Sequence, residues 1–197
     1  MKSKKLVYGV GVNDSATSIA TYSKIEGKRV QTWTCPFYSV WSGILYRCYG
    51  SSKRQGCYES SNVCDEWLVF SNFRNWMEKQ NWKGMQLDKD LLTVGNVKYS
   101  PSTCIFVHPI VNKFPQDSSW RDSNKLIGCY LSKDNGKYRA LCQNPFTNKQ
   151  EHLGYYLTEL QAHLAWKTRK HELACMLAES EYVDDPRVAE ALRTRYL

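Results

Sequence analysis

The chain has 197 residues, 42% of them apolar and 13% aromatic, enough for one medium domain or two small ones with a real core. No run approaches about 18 uninterrupted apolar residues, so no membrane-spanning helix is expected, and no charge block is long enough for wholesale disorder. The formal charge is +8, split as +7 over residues 1–126, +4 over 127–171 and −3 over 172–197, and a basic, aromatic-rich chain of this kind points to a polyanion, most often nucleic acid.

The opening Met1–Lys5 is basic, but the apolar run Leu6–Val12 is too short and Gly-rich for a secretory signal, which predicts a cytoplasmic setting. Eight cysteines stand at 35, 48, 57, 64, 104, 129, 142 and 175, without a C-x-x-C pair. Free thiols are the expected state in a cytoplasm. A structural zinc held by four of Cys35, Cys48, Cys57, Cys64 and Cys104 is the alternative.

Residues 6–12 (LVYGVGV) predict a strand, followed by short strands over Ile19–Tyr22 and Arg29–Thr34 with a turn at Glu26-Gly27-Lys28. Pro36 opens a helix that Gly50 stops, with Phe37, Trp41, Ile44, Leu45 and Cys48 on its apolar face. After a polar loop a second helix is predicted from near Asp65, packing Trp67, Phe70, Phe73, Trp76 and Met77. Met85–Leu92 and Cys104–Val107 predict strands, with turns at Gly95-Asn96 and Tyr99-Ser100-Pro101, and Pro109 opens a short helix carrying Asn112. The polar stretch 116–126 makes the best linker.

From Ile127 the pattern restarts with three antiparallel strands, Ile127–Ser132, Lys137–Gln143 and Gln150–Leu157, joined by a tight turn at Asp134-Asn135-Gly136 and a longer one at Asn144–Asn148. Thr158-Glu159-Leu160-Gln161 is a capping box launching a helix to about Ala178, with Leu160, Leu164, Ala165, Thr168, Leu173 and Met176 available for the sheet. Asp184-Asp185-Pro186 caps a last helix.

The run GCYLSKDNGKYRALCQNPFTNKQEHLGYYLTELQAHLAW, with Gly-Lys-Tyr-Arg-Ala in its second strand and Leu-Gly-Tyr-Tyr in its third, resembles an AP2-type DNA-binding domain over about 50 residues. The resemblance implies a three-stranded sheet laid into the major groove of double-stranded DNA, a groove that physically admits a β-ribbon. The expected DNA-binding side chains are Tyr130, Lys133, Lys137, Arg139 and Gln143, with Lys149 near the phosphate backbone. Arg139 is the sharpest of these, since a guanidinium meets guanine in bidentate fashion.

The stretch 86–112 resembles the HNH (His-Me finger) nuclease motif, in the frame of phage homing-type endonucleases that carry an AP2 module behind the nuclease. The pieces are Val-Tyr-Gly-Val-Gly near the start, Tyr38-x-x-Trp41 with Arg47-Cys48-Tyr49, then Leu87-Asp88-Lys89-Asp90, Gly95-Asn96, Tyr99-Ser100-Pro101 and Asn112. Phosphodiester hydrolysis requires a hard cation on the scissile phosphate and a base for the attacking water. The resemblance implies that Asp88 and Asn112 hold one Mg²⁺, or Mn²⁺ in its place, through oxygen donors suited to it. Lys89 stands where the family's base is usually His, and a protonated lysine cannot take that role. Burial near other cations lowers such a lysine's affinity for its proton. Otherwise Lys89 contacts the phosphate while His108 or Asp90 activates water. Arg47 is a candidate phosphate clamp, and Lys53 and Arg54 candidate backbone contacts.

The expected protein is α+β, with an HNH-like ββα-metal nuclease domain over 1–120, a linker at 121–126, an AP2-like domain over 127–178 and a helical tail over 179–197. Its expected activity is Mg²⁺-dependent cleavage or nicking of double-stranded DNA, as a monomer or a dimer. The alternative is a non-catalytic DNA-binding protein on a decayed nuclease fold.

Overall fold

The computed structural model describes residues 6–50, 60–117 and 126–197. The fold is α+β, with five α-helices and several small sheets among the described residues, and it divides into two compact units, 1–106 and 107–197. No described helix is long and apolar enough to cross a membrane.

In the first unit the N-terminal segment is not the continuous strand its composition predicts. Tyr8 and Gly9 both take positive φ, so the chain folds back and Val7 N–H donates to Gly11 O at 2.8 Å. A Cβ at the buried Gly11 would stand 2.4 Å from Leu45 Cδ1, so only glycine passes there. Strands β1 (Ala20–Ile25) and β2 (Lys28–Thr34) form a hairpin, and helix α1 (Pro36–Tyr49) follows with the predicted ends. Its Trp41, Ile44, Leu45 and Cys48 are buried together with Trp67, Phe70, Phe73 and Met77. Trp41 Nε1–H donates to Trp67 O at 2.6 Å inside this core.

The single helix predicted from Asp65 is two pieces, a 3-10 turn (Asp65–Leu68) and helix α2 (Phe70–Met77). Val69 between them is extended because Val12 pairs with this point: its N–H donates to Leu68 O, and its carbonyl accepts from Phe70 N–H. Strand β3 (Asn62–Val63) runs parallel to β5 (Lys98–Tyr99), while β4 (Gln86–Asp88) pairs with β6 (Ile105–Val107). Strand β4 ends earlier than expected because Asp88 Oδ1 accepts from the N–H groups of Asp90 (2.8 Å) and Leu91 (2.6 Å), turning the chain.

The second unit begins with helix α3 (Pro109–Lys113). It continues with the antiparallel sheet β7 (Cys129–Leu131), β8 (Tyr138–Asn144) and β9 (Lys149–Tyr156), then helices α4 (Glu159–Ala178) and α5 (Pro186–Thr194). The capping box at Thr158 and Gln161 forms, and Asp185 caps α5 through Arg187 N–H. The face of α4 differs from expectation. Leu160, Leu164, Thr168 and Met176 are exposed, whereas Ala162, Trp166, Lys170, Leu173, Ala174 and Leu177 are buried. Small Ala162 meets Cys129 and Ala140 of the sheet, where a leucine would hold the helix off.

Candidate nucleic-acid interface and the loop carrying Asp88

Cross-strand register decides which side chains of the C-terminal sheet share a face. Cys129, Ala140 and Cys142 are buried on the side of α4, so their neighbours Tyr130, Arg139 and Gln143 lie on the other side, and all three are exposed. Tyr130 pairs with Arg139, and Arg139 with Tyr155, giving a row of one guanidinium between two exposed phenols. Leu141 opposite His152 and Gln143 opposite Gln150 continue that face. Lys133 and Lys137 flank the first turn, exposed, and Lys149 opposes Asn144 on the alternate face, also exposed.

Tyr155, His152 and Gln150, absent from the residues expected to meet DNA, also lie on this face. His152 and Tyr155 are three apart, which in a regular strand means opposite faces. The register shifts between Ala140 and Leu141, so Leu153 and Gly154 together occupy one step of β9 and the two rings return to one side, 4.9 Å apart. Gly154, at φ +124°, is the residue that marks the bulge.

In the other candidate site, Asp88 is half-buried at the end of β4. Burial above all, then the charge of Asp90, pushes its carboxyl above the usual carboxylate range, against the two backbone N–H bonds that favour the anion. Lys89 is buried, and its Nζ donates to Asp90 Oδ2 at 2.9 Å and to Asn96 O at 2.8 Å. Its ammonium therefore ties the loop together rather than facing a phosphate. Asn96 closes the same loop: its Nδ2 donates to the carbonyls of Lys89 (2.6 Å) and Lys98 (2.8 Å). Asp90 remains 47% exposed despite its ion pair.

His108 and Asn112 belong to the second unit. His108 caps α3, with Nδ1 accepting from Ile110 N–H at 3.3 Å, and its ring lies 4.6 Å from that of Tyr182. Asn112 is half-buried on α3, and its carbonyl accepts from Gln116 Nε2. Of the three expected bases, Asp90 is the one with an exposed acceptor.

Arg47 Nε donates to Gly43 O at 3.3 Å, and its guanidinium stands 5.5 Å from the Tyr99 ring centroid, so its head lies along its own unit. Lys53 and Arg54 lie outside the described residues, as does Cys57. Among the described residues the other seven cysteines are thiols, and no group of three or more His, Cys, Asp or Glu is placed to hold a metal ion. Burial pushes the Cys104 thiol up to about 12 and that of Cys142 to about 11.

The residues at Asp88 suit a hard divalent ion in donor type. The carboxylate is desolvated, a second carboxylate stands beside it, and no ion pair to Asp88 forms among the described residues. A divalent cation relieves both penalties. No protein family, curated protein or solved structure matches the chain.

Proposed function

We propose that the protein binds double-stranded DNA through the outer face of β7–β9 and hydrolyses a phosphodiester in a Mg²⁺-dependent reaction centred on Asp88. The observation that carries the binding half is the row Tyr130–Arg139–Tyr155, exposed on a sheet of a chain with charge +8. An exposed arginine whose cross-strand neighbours are both tyrosines offers the donors that guanine and phosphate accept.

The hydrolytic half rests on the pair of carboxylates. Asp88 would hold the Mg²⁺, which when bound neutralises charge on the scissile phosphate and the leaving oxygen. Asp90, whose side chain is 47% exposed, would accept the proton of the attacking water. Lys89, hydrogen-bonded to Asp90 Oδ2, holds that carboxylate in place, and Asn96 pins the loop beneath both. The second reading, DNA binding without cleavage, is favoured by one feature: Lys89, where the resembled nucleases carry a histidine, donates to two acceptors of its own loop.

Supercoiled plasmid with Mg²⁺ or Mn²⁺ separates the two. Nicked circles are expected with the wild type and not with Asp88→Ala or Asp90→Asn, while all three retard a duplex equally on a gel. Equal inertness with binding retained selects the second reading. Absence of duplex binding by the wild type, or binding that Arg139→Ala leaves untouched, overturns the binding half.

A further inference from the structure

The β1–β2 hairpin stands out from everything else in its unit. Every residue from Thr21 to Trp33 is exposed, so neither face of the ribbon is covered. Its turn is built on Glu26 and Gly27, both at positive φ, which matches the right-handed twist of the strands and makes a stiff two-residue connection. A hairpin with two wet faces gains little from burial.

The two faces differ in chemistry. Opposite residues share a face, so Tyr22 with Gln31 and Lys24 with Arg29 lie on one side, and Ser23 with Val30 and Ile25 with Lys28 on the other. On the first side Arg29 Cζ sits 4.0 Å from the Tyr22 ring centroid, a stacked guanidinium with its N–H edge left free to recognise an oxygen ligand. The ribbon carries Lys24, Lys28 and Arg29 against the single carboxylate of Glu26. An aromatic-supported arginine, a lysine and a glutamine on one side of a ribbon about two strands wide meet the dimensions and the acceptor chemistry of a DNA major groove.

We propose that the β1–β2 ribbon is a second DNA-contacting element, its Tyr22–Lys24–Arg29–Gln31 face lying along the duplex, with Lys24 and Arg29 on phosphates. This inference rests on the DNA-binding reading above and extends it to the first unit. It also accounts for the exposed basic and aromatic side chains without a second protein. Charge complementarity favours the polyanion over a second copy of the chain, which carries the same positive ribbon.

The test measures duplex affinity of the full chain against salt concentration for wild type, Lys24→Ala/Arg29→Ala, the charge-keeping Lys24→Arg/Arg29→Lys, and Arg139→Ala. Each lost phosphate contact lowers the log–log slope by about 0.9, so the double alanine variant is expected to lose about 1.8 and the charge-keeping variant close to none. Circular dichroism checks that the variants fold, and the backbone ladder of the hairpin does not use either side chain. Wild-type binding whose slope is unchanged in the double alanine variant overturns the ribbon inference and leaves the sheet reading standing. If the wild type binds no duplex, the underlying reading fails instead. Sedimentation gives the remaining outcome: a dimer that Trp33→Ser dissociates, with DNA affinity unaltered, assigns the ribbon to self-association and overturns the proposal.

Discussion

Lys170 is the residue on which the second unit's architecture can be tested most directly. It is 3% exposed on α4, and its Nζ donates to Phe114 O at 2.7 Å and to Asp117 Oδ1 at 2.6 Å. Tyr196 completes the knot by donating its hydroxyl to Asp117 Oδ2 at 2.9 Å. Burial, then the charge of Asp117, raises the phenol's pKa far above its usual value, so it stays a donor throughout the working pH range. The segment bearing α3, with His108 and Asn112, is thereby tied to α4 and the C-terminus. Lys170→Met keeps the packed stem but leaves Asp117 without its cation and Phe114 O without its donor. Removing one partner of a buried pair costs about 3–5 kcal/mol, and Asp117 is 18% exposed, so the lower figure applies. For a cooperative unit of this size about 3 kcal/mol lowers the Tm by at least ~12 °C. Calorimetry measures it, and Lys170→Met/Asp117→Asn is expected to recover part of the loss. A cost under about 1 kcal/mol, or a double variant additive within about 0.5 kcal/mol, refutes the claim that this pair couples the two segments.

Three further predictions concern the other candidate elements. Asp88→Asn keeps the Oδ1 acceptor for Asp90 and Leu91 N–H but removes a charge that burial penalises. Because the folded state raises this pKa, the native protein holds the proton more tightly than the unfolded chain, and stability falls as pH rises from about 3.9 through the folded value. The variant is therefore expected to melt higher than wild type at neutral pH and at the same temperature near pH 3, and a lower neutral-pH Tm contradicts the argument. Asn96→Ala removes the bonds to the Lys89 and Lys98 carbonyls, so urea unfolding should show a loss of about 1–3 kcal/mol. Gly128→Ala places a Cβ 1.9 Å from Trp166 Cγ at a φ of +82°, and a loss above about 2 kcal/mol, with a changed tryptophan spectrum, is expected.

The elements with local chemical punctuation were readable from the residues. Pro36 and Gly50 bound α1, Thr158 with Gln161 starts α4, and Asp185-Pro186 starts α5, because each satisfies helix-end backbone groups within a few residues of itself. What the residues alone could not give were the consequences of distant partners. Val12 breaks the second helix from more than fifty positions away, and the demand for a small residue opposite Ala140 turns α4 so that its leucines at 160 and 164 face out.

The same distinction governs the two candidate sites. Asp88, Lys89 and Asp90 were singled out by resemblance to a nuclease motif, and the structure adds where each head group ends. Lys89 turned inward to Asp90 and the Asn96 carbonyl is a brace, a fate no residue pattern announces. In the sheet, Arg139 and Tyr130, named from the AP2 resemblance, do share the exposed face, and β7 and the start of β8 are regular there. A period of two carried through β9 would set the Tyr155 ring on the opposite face from His152. The extra step absorbed by Leu153 and Gly154 gives the arginine its second aromatic flank. A glycine inside a strand pattern is thus the residue to weigh when counting faces, because it can reverse every assignment beyond it.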